Sequence, residues 1–347
     1  MTEVSTLLEF LESTGAKVKI FDIGRRLSNI SRNDFLKIEK QHLPYPYPLQ
    51  QQAWFGMSML DPQVSHEPVI WFLHFPLDET GKLQLASRDY FMHRLFEAGV
   101  ARQTDNPELS TDALKDNPHV FKPRDDKMAA FHARLAVKLK RPPSRFYAHS
   151  REYFSGQQGW DQWQFIGFQG IADMVERIAD DDNHQLLLNA MPFIPASPLQ
   201  AVCQCLENIP VSEKLAGVIN QRLDHELNQA NIDTANIVHL LRALAISPSL
   251  THRQSAFRKV MHSPIAAHTD LLAAISARCW EWLYNDDSMP VFLNHAAHLP
   301  VNEFNALMSD LMFMPGLREL ILKHIRSPQR TDTLATAFQK MLRGIQS

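Results

Sequence analysis

Cysteine is scarce in these 347 residues: only Cys203, Cys205 and Cys279 occur. A sparse, odd set lying in apolar helical pattern excludes a disulfide framework and implies reduced thiols in a cytosolic protein. Charge imbalance is missing too. A formal net charge of −3 gives the chain as a whole no attraction for phosphate or acidic lipid. No positively charged segment with an apolar run opens the chain, where Glu3, Glu9 and Glu12 stand instead, so no secretory signal is expected. The longest stretch free of formal charge, 183–206, is broken by Pro192, Pro195 and Pro198. Backbone groups freed by those prolines would go unsatisfied in lipid, which argues against a membrane span. Also absent are G-x-x-x-x-G-K-[ST], G-x-G-x-x-G after a strand, G-x-S-x-G and H-E-x-x-H. No catalytic residue, cofactor-binding residue or metal ligand is therefore named, and the balance leans against an enzyme.

What is present is ordinary globular composition, 45% apolar and 21% charged, in a chain too long for one core. Its most informative feature is internal. Shifted by 105 positions, residues 187–215 fall without a gap on 292–320. Leu188, Asn189, Pro195, Ala201, Leu206, Pro210 and Leu215 meet Leu293, Asn294, Pro300, Ala306, Leu311, Pro315 and Leu320. A shift of 105 divides into three steps of 35, the length of a helical hairpin. From about 170 onward every segment has a helical period, with helices expected at 170–179, 183–191, 198–208, 211–228, 234–246, 251–262, 266–284, 289–298, 302–313, 315–326 and 330–344. Their joints are short and rich in proline, so neighbours run antiparallel and stack.

The first hundred residues read differently. Val4, Leu7, Leu8 and Leu11 mark a helix that Gly15 stops, and Ser31 with Asp34 opens another. Lys17–Phe21, Ala53–Leu60 and Val69–Phe75 have strand character, with a turn at 78–82 and a helix from Ser87 to about Glu97, closed by Gly99. The expected architecture is a small α+β domain with an antiparallel sheet (1–100), then a linker, basic helix and aromatic junction (101–168), then an all-α hairpin solenoid (169–347).

Two stretches invite a binding role. Residues 121–151 hold nine Lys or Arg against two acids, and 152–182 hold seven acids against Arg177. Lys127, Arg134 and Lys138 share one face of an amphipathic helix whose apolar side carries Met128, Phe131, Leu135 and Leu139. With Arg141 and Arg145 they form a candidate partner surface, suited to RNA or single-stranded DNA by phosphate neutralisation beside aromatic stacking. The competing reading is a basic face that pairs with the acidic block after it. His295 and His298 stand one turn apart but lack a third ligand. Cys203 and Cys205 diverge around their helix, and Asp180–Asp182 lacks the pattern of a calcium loop.

Through the segments Lys17-Val-Lys-Ile-Phe-Asp-Ile-Gly and Trp71-Phe-Leu-His-Phe-Pro and the helical tail, the chain resembles a bacterial family known only as a domain of unknown function. That resemblance implies no activity, cofactor or site residue. The hairpin pattern is similar to HEAT repeats, without their regular Asp/Arg signature at the inter-helix turns. The functional expectation is a cytosolic scaffold that binds another protein through its helical surface, with nucleic-acid association, or an enzyme whose site has no linear motif, as alternatives.

Overall fold

The computed structural model describes residues 6–63, 65–103 and 117–345. The chain divides into two compact units, Met1–Arg124 with Phe313–Pro315, and Asp125–Met312 with Gly316–Ser347. Much of the linker expected at 101–121 lies outside the described residues.

In the first unit, α1 (Leu7–Ser13) precedes β1 (Lys17–Asp22), β2 (Ser28–Ile30), α2 (Arg32–Glu39), β3 (Gln52–Leu60), β4 (Val69–Pro76) and α3 (Leu85–Gln103). The sheet is antiparallel throughout, ordered β2-β1-β3-β4. Alternation decides which face is covered: Ala53, Phe55, Met57 and Met59 of β3 and Leu73 and Phe75 of β4 are buried with Leu7, Leu8, Phe35, Ile38 and Phe91. Strand β2 was not foreseen, because three residues carry too little alternation. Beyond β4, the His74 N–H donates to the His119 carbonyl at 2.9 Å and the Phe121 N–H to that of Phe72 at 3.1 Å. Residues 119–121 therefore extend the sheet where a linker was expected. Helix α3 runs past Gly99, since a glycine inside a helix weakens it by only about 1 kcal/mol and ends it only at a left-handed residue.

The second unit is all helix among its described residues. It comprises α4 (Asp125–Lys138), α5 (Tyr147–Phe154), a 3₁₀ turn (Trp160–Phe165), α6 (Phe168–Glu176), α7 (Asn183–Ala190), α8 (Ala196–Leu206) and α9 (Glu213–Leu227). Then come α10 (Thr234–Ala243), α11 (Leu250–Met261), α12 (Thr269–Arg278), a second 3₁₀ turn (Trp280–Leu283), α13 (Ser288–Ala296), α14 (Val301–Met312), α15 (Leu317–Ile325) and α16 (Asp332–Ile345). Even-numbered helices stack in one layer in chain order and odd-numbered helices in a second, so the unit is a solenoid-like pile of hairpins. The basic helix α4 is its first member.

Side-chain bonds between helices measure the repeat directly. Gln200 bonds Asn236, Gln204 bonds His239 and Glu207 bonds Arg242, spans of 36, 35 and 35 residues. Lys259 reaches Asp224 across 35 residues, and the Cys279 thiol and Trp282 indole reach the Leu241 and Ala245 carbonyls across 38 and 37. These ladders advance in the same direction on both partners, so helices within a layer are parallel. All odd-to-even turns consequently fall on one edge of the pile. The sequence match has its cause here: α7 begins at Asn183 and α13 at Ser288, α8 at Ala196 and α14 at Val301, each 105 apart and three hairpins on. Leu187 and Phe292, Leu199 and Phe304, and Leu206 and Leu311 fill equivalent buried positions.

Candidate functional site

The basic face is largely consumed by the stack. Glu207, at the C-cap of α8, is 1% exposed and sits among three cations. Arg242 Nε lies 2.6 Å and Arg278 Nε 3.4 Å from its Oε2, and Lys127 Nζ lies 3.5 Å from its Oε1. Burial alone would raise this carboxyl; Arg242, Arg278 and Lys127 outweigh it and hold the group down at about 2. Cations in the last turns of α10 and α12 also meet the negative ends of those helices. Arg134 Nε bonds Glu176 at 2.5 Å and its Nη2 bonds the Asn208 carbonyl at 2.7 Å. Lys127 and Arg134 thus join α4 to α6 and α8.

The remaining three candidates are placed elsewhere. Lys138 and Arg145 are exposed, with the Arg145 guanidinium 4.9 Å from the centre of the Phe146 ring. Arg141 is half-buried, and its carbonyl accepts from Arg177 at 3.0 Å. The structure does not gather the five into one exposed face. The acidic block is paired likewise: Arg177 bonds Asp173 at 3.2 Å, while Arg151 bonds Asp181 at 2.7 Å and also pairs with Asp182. Asp182 stands at the α7 N-cap position but makes no side-chain cap there. Sequence reasoning missed Glu207, Arg242 and Arg278. Their spacing, 35 and then 36 residues, is the repeat itself, and that signal could have linked them.

The aromatic segment 144–168 does not fill a core as a block. Tyr153 and Phe154 are buried, whereas Phe146 is 41% and Phe165 71% exposed. Trp160, in the turn between α5 and α6, stacks on Phe193 in the turn between α7 and α8, with ring centres 6.3 Å apart and planes 13° apart. Phe193 is itself 64% exposed. The two turns are neighbours on one edge of the pile, 33 residues apart at Trp160 and Phe193, which is one repeat. Exposed aromatic side chains gathered at one place mark an interaction surface more often than chance exposure.

A groove of about 360 Å³ opens further along, lined by Asp286, Asn294, Lys323, His324 and Arg330. Asp286 bonds Lys323 at 2.6 and 2.7 Å and His324 at 3.0 Å, and the Lys323 hydrogen bond is the main cause that lowers its pKa. Asp286, Lys323 and His324 satisfy one another, so the groove presents no nucleophile paired with a base. Among the described residues no cluster of three His, Cys, Asp or Glu is placed to hold a metal ion. Burial pushes the Cys203 thiol up to about 12 and that of Cys205 well above its usual value, which makes both unreactive. No described helix is long and apolar enough to cross a membrane.

The family described as a protein of unknown function (DUF3549) matches residues 2–342, and the chain belongs to it. No curated protein and no solved structure matches the chain.

Proposed function

We propose that the protein is a non-enzymatic cytosolic scaffold in which a HEAT-like hairpin array docks another protein. The observation that carries this reading is the aromatic edge formed by Trp160, Phe165 and Phe193 on the first hairpins. Two large apolar side chains there, at 71% and 64% exposure, remain in water although the same unit buries Phe131, Phe154, Phe257, Phe292 and Phe304. Each exposed ring would gain about 1.5–3 kcal/mol from burial in a partner. Stacked hairpins form long surfaces of this kind, and such edges commonly serve as docking sites. Chemical cross-linking in native lysate, comparing the full chain with its Phe165→Ser/Phe193→Ser variant, tests the reading. Loss of a cross-linked partner at unchanged melting temperature supports it; an identical partner pattern removes the edge from the mechanism.

A second reading, binding of single-stranded nucleic acid, draws on Arg145 and Phe146, which present a cation and a ring together. It is the weaker one, because Lys127 and Arg134 are engaged by Glu207 and Glu176. A mobility shift at low salt that falls steeply as salt rises would favour it.

A further inference from the structure

We infer that the aromatic edge takes a basic peptide segment of a partner protein, with an apolar or aromatic side chain as its anchor. This inference rests on the docking role proposed above and adds the chemistry of the occupant. The carrying observation is the charge around the rings. Residues 152–176 contain no Lys, Arg or His, and residues 185–213 contain no Lys or Arg. The carboxylates in and beside the first turn are Glu152 and Asp161, both exposed; Glu152 also accepts from Gln158 and lies 3.6 Å from His149 Nδ1 on its own helix. Arg222, which reaches this region from α9, is withdrawn from solvent duty. Its guanidinium donates to the carbonyls of Pro192 at 2.6 Å and Ile194 at 3.3 Å and bonds Glu226 at 2.7 Å. It props the turn that carries Phe193 while its charge is offset.

Farther along this edge the signs mix, with Arg258 and Lys259 in the last turn of α11 and Lys323 in that of α15. Asp233 caps α10, and Asp270, Glu303 and Asp332 lie in the first turns of α12, α14 and α16. The positive ends of those helices account for part of this pattern, since acids in a first turn stabilise a helix. They do not account for Glu152, which lies near the C-terminal end of α5, where the helix dipole disfavours an acid. Two exposed carboxylates in and beside the turn that carries Trp160 and Phe165, with no Lys or Arg within 152–176 or 185–213, are complementary to Lys or Arg beside an apolar anchor. An acidic segment would meet like charge, and a nucleic acid strand would meet it at every phosphate. The rings supply contact area and the carboxylates select the sign.

Selection of a random peptide library on the immobilised full-length protein tests this. The expected result is enrichment of peptides that carry Phe, Trp, Tyr or Leu flanked by Lys or Arg. Their binding should weaken by about tenfold or more in Phe165→Ser/Phe193→Ser, as expected for loss of anchor contacts. The Glu152→Lys/Asp161→Lys variant should switch enrichment toward acidic peptides, and both variants should melt with the wild type. Neutral or acidic peptides that depend on Phe165 and Phe193 would overturn the basic occupant while leaving the docking role intact. So would basic peptides indifferent to the charge reversal. If no enriched peptide depends on Phe165 and Phe193, both the occupant and the docking role fall.

Discussion

The Glu207 carboxylate pairs with side chains from α4, α10 and α12, and removing its charge strips their closest common counter-charge. Glu207→Gln should therefore lower the unfolding free energy by about 3–5 kcal/mol in urea titration. Its folded pKa of about 2 lies below the ordinary 4.5, so it contributes stability that is fully present above about pH 4.5. That contribution disappears as pH falls through 2. Glu39 behaves oppositely. It accepts the Leu7 and Leu8 N–H groups at 2.7 and 3.1 Å with Arg88 3.8 Å away, yet burial, the largest influence, pushes its pKa up to about 7. Its contribution is complete below about pH 4.5 and fades as pH rises through 7. Glu39→Gln should flatten the decline in stability between those values, measured as melting temperature against pH; an unchanged slope would refute this role for Glu39.

At the level of elements, closeness of approach separates two glycines. A Cβ on Gly170 of α6 would overlap Ser150 Oγ and lie 2.5 Å from the Phe146 carbonyl oxygen, so α5 rests directly on that bare backbone. Gly170→Ala should cost about 1–3 kcal/mol through overpacking. Gly217 of α9 has its nearest neighbour, the His252 ring, at 3.6 Å, an ordinary contact. Gly217→Ala should instead stabilise by up to about 1 kcal/mol. Equal effects in chemical denaturation would contradict the packing described. Helix positions were legible in the chain because apolar period and proline joints coincide, as at Pro195 ahead of α8 and Pro300 ahead of α14. The destination of Lys127 and Arg134 was not. Spacing on one helix shows which side chains share a face, but a long cation is claimed by whatever carboxylate the tertiary stack brings near, and Glu207 lies 80 residues from Lys127. The bridge that 119–121 makes to β4 was hidden for a related reason: it forms across 45 residues and has too few side chains for a pattern of its own.

For the molecule as a whole, the 105-residue self-match and the bonds spanning about 35 residues describe one property: each hairpin is completed by the next. Stability in such a pile is passed between neighbours rather than shared through a single centre. The most direct test is native-state hydrogen exchange on Leu240→Ala, which removes a fully buried side chain from the middle of α10 at a cost of about 2–5 kcal/mol. The stack predicts faster exchange in α8, α10 and α12, declining with each hairpin and leaving α16 and the β-sheet of the first unit close to wild type. Uniform acceleration from α4 to α16, as in one closed core, would contradict it.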